Sequence, residues 1–371
     1  MMHFLANPLA MIAELTHRCP LHCVYCSNPL EMMPRNNELS TAEWTRVFSE
    51  AAALGVLQVD LTGGEPLARA DLAELIASAR AARLYVNLIT SGLGMDERRL
   101  AELVDAGLDH LQLSIQDAKE APANEIAGTR AHAHKLEVAK WIRRHRIAFT
   151  LNAVVHRKNL DRLEEIIALA EQLGAGRLEI AHVQYYGWAF ANRERLLPTR
   201  AQLDRSLEII HAAEARLKSR MRIEFVVPDY YARYPKACMG GWGRKLMVVT
   251  PSGEVWPCHA AGVIPKLQFA SVRGHALKWI WEESEAFRKF RGEGWMPGPC
   301  RSCDRREQDF GGCRCQAFLL AGDSGVTDPT CSLAPSHTVV EAIVAEANAR
   351  TTPQPSDGLL QPAWLYRPNP A

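Results

Sequence analysis

Between residues 27 and 237 this chain has no cysteine, although it carries 10 in all. It has no basic excess either. Lys plus Arg number 43 against 42 Asp plus Glu, a net charge of +1. Without a lysine-rich stripe to neutralise phosphates, neither DNA nor RNA is an expected partner. No apolar run approaches the roughly 20 residues that span a bilayer, so no membrane association is expected. The apolar start, residues 1–15, lacks a positively charged leader region and runs straight into a cysteine cluster, so it reads as leading into a strand. The expected location is the cytoplasm, where thiols stay reduced. Ten cysteines there point to metal ligands rather than disulfides. There is no internal repeat, and only the proline-rich tail from Thr351 is compositionally biased.

What is present falls at the two ends. Cys19, Cys23 and Cys26 form one group; Cys238, Cys258, Cys300, Cys303, Cys313, Cys315 and Cys331 form another. Between them, strand-like runs (10–16, 57–62, 84–90, 109–115, 148–155, 177–184) alternate with helical patterns near 41–54, 70–82, 96–106, 131–145 and 159–173. Ser40-x-x-Glu43 is a capping box, and Gly55, Gly107 and Gly174 stand at helix ends. Such alternation implies parallel βα units, whose ligands bind beyond the carboxyl ends of the strands. The polar motifs fall there: the three-cysteine loop, TGGEP (62–66), TSG (90–92), SIQD (114–117), Asn152 and HVQYYGW (182–188). No alternation continues beyond residue 220, so the α/β region is expected to end with a helix at 199–219.

Three thiolates cannot close a tetrahedral zinc site, and the nearest additional ligands, His17 and His22, are awkwardly placed. A cubane cluster held by three cysteines instead leaves one iron open for chemistry. Cys-x3-Cys-x2-Cys, with Tyr25 before its last cysteine and after the first strand, resembles the radical S-adenosylmethionine superfamily. In that family a [4Fe–4S] cluster binds S-adenosylmethionine at its open iron, and the catalytic chemistry lies there rather than on one side chain. GGEP matches the second superfamily element. The resemblance implies that Gly63 and Gly64 let the backbone approach the methionine moiety, and that Glu65 helps position its amino group. It also places Ser114, Gln116 and Asn152 toward the ribose, methionine or nucleoside.

The late cysteines resemble the SPASM extension of peptide-modifying radical enzymes, which holds two auxiliary iron–sulfur clusters. Here Cys238, then Gly253-x4-Cys258, then Cys300-x2-Cys303 follow its pattern. A departure comes next, because after the five residues that follow Cys303 the pattern meets Asp309 instead of a cysteine, and Cys315 is an extra thiol after Cys313. The pattern suggests one site of Cys300, Cys303, Asp309 and Cys331, and another of Cys238, Cys258, Cys313 and Cys315. The second could hold a [4Fe–4S] or a [2Fe–2S] cluster, and zinc is the competing reading for a cysteine-rich hairpin. The expected architecture is α/β: a partial (β/α)6 radical-SAM barrel over 1–220, a Cys-rich SPASM extension over 221–350 and an irregular tail over 351–371, whose AWLY stretch is a docking candidate.

AELTHRCPLHCVYCSNPLE, LTGGEPLAR, HVQYYGWAFANR and the Asp-for-Cys pattern together resemble the PqqA peptide cyclase family of pyrroloquinoline quinone biosynthesis. The resemblance implies a carbon–carbon bond between a glutamate side chain and a tyrosine ring of the precursor peptide PqqA. It further implies a peptide chaperone, PqqD, and a flavodoxin-type reductant. Gln184, Tyr185, Tyr186 and Trp188 are substrate-facing candidates; Asp117, Glu179 and His182 are candidates for a general base. The alternatives are another peptide modifier on this scaffold, such as a sulfatase maturase or thioether-forming enzyme, and a non-catalytic iron–sulfur or zinc protein.

Overall fold

The six alternating runs become six parallel strands in a computed structural model that describes residues 6–350 and 364–368. They are β1 (Ala10–Glu14), β2 (Gln58–Thr62), β3 (Tyr85–Thr90), β4 (His110–Ile115), β5 (Ala148–Val155) and β6 (Arg177–His182). Helices α1 (Thr41–Leu54), α2 (Leu72–Ala81), α3 (Glu97–Asp105), α4 (Glu120–Ala127), α5 (His132–Arg144) and α6 (Leu163–Leu173) connect them. The capping box of α1 is formed, and Gly55 ends that helix in the left-handed region at φ 101°. Helix α4 has no counterpart in the sequence reading, being one short amphipathic piece inside a longer connection.

The sheet is larger than the sequence suggested. A helix over Arg200–Leu217 leads into β7 (Arg222–Val226), which pairs parallel with β6. From the cysteine-rich part, β8 (Leu246–Val249) adds parallel to the other side of β1, and β9 (Val255–Trp256) folds back on it antiparallel. The order is β7-β6-β5-β4-β3-β2-β1-β8-β9. The sheet therefore runs across residue 220, where the alternation was expected to stop. A five-residue strand after an 18-residue helix has too few residues for its period to stand out.

One face of each central strand carries the core. Val59, Leu61, Val86, Leu88, Leu111, Leu113, Leu178 and Ile180 are fully buried against the helices. The opposite face is polar, with Asp60, Asn87, Gln112, Thr150 and Glu179 along it. Parallel sheets are usually apolar on both faces, so this inner polar face needs other partners. It leaves two cavities, about 300 Å³ at the carboxyl ends of the strands and about 570 Å³ nearer their amino ends. A second apolar cluster joins Trp242, Trp256 and Phe290 to four of the late cysteines and to Tyr186. Among the described residues no helix is long and apolar enough to cross a membrane.

Candidate active site

The upper cavity gathers the ends of six strands. Cys19, Cys23 and Cys26 line it from the loop after β1, Gly63 and Gly64 from the loop after β2, and Thr90 and Ser91 from the end of β3. Ser114 and Gln116 contribute from β4, Val154 from β5, and His182 and Gln184 from β6. Tyr25 and Arg367 complete the wall.

The glycine pair explains how two loops share this space. At Gly63 (φ 130°) a Cβ would stand 2.3 Å from Thr16 O; at Gly64 it would stand 2.3 Å from Arg18 O and 2.6 Å from His17 O. Only bare backbone can approach so closely. The approach lets Gly64 N–H donate to Thr16 O (2.5 Å) and Glu65 N–H to Arg18 O (2.7 Å). Glu65 stands behind the glycines and is nearly fully buried. Its carboxylate accepts from Thr90 Oγ1 (2.6 Å), from the Ser91 amide (2.7 Å) and hydroxyl, and from the Leu67 amide (3.1 Å). Burial raises its pKa, against the pull of those hydrogen bonds.

The cysteine loop is also clamped from its far side by GWAFAN. A Cβ on Gly187 would stand 2.2 Å from Asn28 O. Ala189 N–H donates to Cys26 O (3.1 Å), and the Asn192 side-chain amide donates to Val24 O (2.8 Å). Burial, with Cys23 and Glu65 adding, pushes the Cys19 thiol up to about 12. Cys26 is pushed up to about 11, chiefly by burial, and Cys23 is raised for the same reason. Three clustered thiols that resist ionising alone are a donor set that a soft metal would deprotonate on binding. The two histidines near them are engaged elsewhere: His17 Nδ1 accepts from the Met33 amide (2.9 Å), and His22 Nδ1 donates to Arg367 O (2.6 Å). Three thiols against a cavity of this size fit an iron–sulfur cluster with S-adenosylmethionine.

Tyr25 and Gln116 form one unit, the Gln116 amide donating to the Tyr25 hydroxyl (3.0 Å). Gln116 Oε1 in turn accepts from Lys135 Nζ (2.7 Å), which also donates to Ser114 O (3.0 Å). Lys135 is almost fully buried, and burial lowers its pKa to about 8. The sequence reading missed this lysine. Its signal was a single cation on the apolar stripe of α5, with Val138, Ala139 and Ile142 at i+3, i+4 and i+7. Asn152 does not line the upper cavity; its amide donates to Glu179 Oε2 (2.9 Å) between the two spaces.

The candidate bases are dispersed. Asp117 is fully buried in an ion pair with Arg162, and Glu179 lines the lower cavity. His182 faces the upper cavity, held neutral by burial, which lowers its pKa to about 3. Its Nδ1 is buried with no protein partner. Of the four substrate-facing candidates only Gln184 lines the cavity. Tyr185 packs on Tyr230, with ring centroids 5.1 Å apart. Trp188 is half-buried. Tyr186 enters the second apolar cluster, where its hydroxyl meets Cys313 Sγ at 3.1 Å.

The late cysteines gather as two sets. Cys238, Cys258, Cys313 and Cys315 are all buried, with Cys238 and Cys315 each in contact with both Cys258 and Cys313. Cys313 is further held by its amide, which donates to Asp328 Oδ2 (2.7 Å). Cys300, Cys303, Asp309 and Cys331 line a separate small cavity with Thr327 and Gly311. Asp309 Oδ1 accepts from the Gly311 amide (3.0 Å), and Oδ2 lies 3.5 Å from Arg305 Nε. Among the described residues no group of three or more His, Cys, Asp or Glu is arranged to hold a single metal ion. What the two sets share is the thiol-rich donor chemistry of iron–sulfur ligation.

Residues 13–170 match the model of the radical SAM superfamily, and residues 238–304 match that of an iron-sulfur cluster-binding domain, SPASM. The PqqA peptide cyclase of Methylobacterium nodulans is 55% identical over 351 residues, covering 94% of this chain and 93% of that protein. That of Methylocella silvestris is 54% identical over 362 residues, covering 97% and 95%. Among solved structures, Streptococcus suis SuiB bound to S-adenosylmethionine superposes with a TM-score of 0.72 at 17% identity, covering 86% of this chain and 76% of that one. Native anSMEcpe with bound AdoMet and the Cp18Cys peptide gives 0.60 at 15% identity, covering 92% and 96%. At those identities the likeness is one of fold. By sequence, the chain belongs to the PqqA peptide cyclase family of radical SAM enzymes.

Proposed function

We propose that the chain cross-links a glutamate side chain to a tyrosine ring within the precursor peptide PqqA, a step of pyrroloquinoline quinone biosynthesis. The observation that carries this reading is the 55% identity, over 94% of the chain, to a PqqA peptide cyclase. Cys19, Cys23 and Cys26 would hold a [4Fe–4S] cluster with S-adenosylmethionine at its open iron, which supplies a primary carbon radical able to abstract hydrogen. In balance, the glutamate γ-carbon loses one hydrogen atom to that radical, and the new carbon–carbon bond forms at the tyrosine ring. The ring then loses one electron and one proton to recover aromaticity.

This chain's residues prepare for that sequence. Gly63, Gly64, Ser114 and Gln116 shape the wall facing the cofactor, and the tyrosine–glutamine–lysine unit keeps that wall rigid. Of the three base candidates His182 is the one that faces this cavity, and with its pKa lowered to about 3 it suits only a strongly acidic proton such as that of the oxidised ring adduct. The electron has an exit toward the extension. Tyr186 follows β6 at the cavity mouth and ends on Cys313, a ligand in the proposed auxiliary set with Cys238, Cys258 and Cys315. Cys300, Cys303, Asp309 and Cys331 would hold the second auxiliary cluster. A PqqD-type peptide chaperone and a flavodoxin-type reductant are the proposed partners.

Incubating the reconstituted, reduced protein with PqqA and S-adenosylmethionine tests the reading. The expected product is a peptide lighter by two hydrogens with a Glu–Tyr crosslink. Formation of 5′-deoxyadenosine with the peptide unaltered would count against it.

A further inference from the structure

The upper cavity contains a cation that comes from the far end of the chain. Residues 364–368 lie across the mouth of the barrel, tied down from Trp364 to Arg367. The Trp364 indole donates to Glu125 Oε1 (3.0 Å) and lies under the Arg195 guanidinium, 3.8 Å from its ring centroid. Leu365 exchanges hydrogen bonds with the Asn192 side chain (3.1 and 2.8 Å), the same amide that holds Val24 O in the cysteine loop. The Tyr366 hydroxyl donates to Glu125 O (3.2 Å).

Arg367 then turns inward and is 1% exposed. Its guanidinium donates to His17 O and, at 3.5 Å, to Leu21 O; its own carbonyl accepts from His22 Nδ1 (2.6 Å). One residue thus holds three positions, 17, 21 and 22, of the loop that carries Cys19 and Cys23. Its Nε is buried with no protein partner, and the side chain lines the same cavity as all three cysteines. A buried guanidinium is costly unless an anion balances it. Asp and Glu do not supply that balance among the residues lining this cavity. The three thiols do, once they are thiolates on a cluster.

We infer that Arg367 is a positioning residue of the first cluster: the C-terminal strap latches the three-cysteine loop and supplies a fixed positive charge beside it, in addition to that of Lys135. This rests on Cys19, Cys23 and Cys26 being that cluster's ligands. The guanidinium does two separable things. Its planar fork bridges two carbonyls, which a lysine cannot reproduce. Its charge favours the more negative, reduced cluster in a low-dielectric setting, which raises the reduction potential.

Two substitutions in the full-length, cluster-loaded protein separate these roles. Arg367→Met removes both, and Arg367→Lys keeps only the charge. An EPR-monitored redox titration should show the first cluster's midpoint moved to more negative potential in Arg367→Met and held near the parent value in Arg367→Lys. Hydrogen exchange of the amides of residues 17–26 should quicken about tenfold in both, the loss of one hydrogen-bond latch. The auxiliary clusters' signals and the iron content of that region should not change. An unchanged midpoint in Arg367→Met overturns the electrostatic role, and unchanged exchange in both variants overturns the latch. If Arg367→Met fails to retain the first cluster, exchange in the metal-free protein still reads the latch, and Arg367→Lys still reads the charge. Absence of any first-cluster signal in the parent protein would instead defeat the ligand assignment.

Discussion

Gly64 shows how much one missing methyl group decides. A Cβ there would meet two backbone oxygens at 2.3 and 2.6 Å, and backbone cannot swing aside as a side chain can. Gly64→Ala is therefore expected to destabilise the fold by about 1–3 kcal/mol, the usual range for overpacking. It should also pry the GGEP loop from the cysteine loop. Thermal unfolding and iron counts check this: iron at the first site should fall while the cysteine-rich extension keeps its complement. The motif reading assigned this glycine to close approach of the cofactor. Its tightest neighbour is another loop of the same chain, a fact of packing that no single segment contains.

At the scale of the element, α5 is an ordinary amphipathic helix with one exception. Beyond His132 in its first turn the buried stripe is apolar except for Lys135, which reaches past the core to Ser114 O and Gln116 Oε1. Lys135→Met keeps the length and the apolar stem while removing the ammonium. Because burial already depresses that group's pKa to about 8, the metal-free protein should unfold at an equal or higher temperature. S-adenosylmethionine affinity of the loaded protein should fall about tenfold, as Gln116 and Tyr25 lose their anchor. A variant with unchanged affinity would limit Lys135 to a structural part. Strands β1 to β6 and five of their helices were legible from periodicity because each spans enough residues to repeat its pattern. Helix α4 and strand β7 were not, since eight and five residues inside longer connections give little to count.

At the scale of the molecule, acid stability depends on imidazoles hidden inside the barrel. His156 is fully buried and His182 nearly so. Burial lowers both to about 3, with Arg162, His182 and Lys158 adding at His156 and Lys236 at His182. A folded-state pKa below the unfolded value means that the unfolded chain binds the extra proton. The stabilisation is therefore complete above about pH 6.5 and is lost as pH falls toward 3. Asp328 works the other way, because burial raises it to about 6, so its cost is relieved over the same descent. Glu65 and Asp229 are raised by burial as well. His110 and His132 are lowered by burial, and Glu43 and Asp71 are lowered by their arginine partners, all acting in the same sense as the two imidazoles. Chemical denaturation of the metal-free protein should show stability falling with acid by up to about 1.4 kcal/mol per pH unit for each histidine. His156→Gln should remove one such contribution from the slope.

The sheet makes the two cysteine regions one cooperative body. Ending the chain at residue 220 would strip β7 from β6 and β8 from β1, leaving both as open edges. Such a fragment is expected to aggregate or unfold without a cooperative transition by circular dichroism. A sharp two-state transition in the fragment would show that the barrel stands without its extension.

Local chemistry by itself determined the parallel βα frame, the three-cysteine loop with GGEP beside it, and the grouping of the late cysteines and Asp309 into two sets. These depend on spacing and on residue type, both carried within short stretches of chain. What only the tertiary structure decided is where distant stretches meet. Tyr186 is close to the cavity in sequence yet ends on Cys313, 127 residues away. Lys135 crosses from a helix to the wall of the upper cavity, and Arg367 returns from the tail to a loop 350 residues earlier. Each is a buried polar group in search of a partner. Which partner it finds is set by how the sheet closes the space around it, not by its neighbours in sequence.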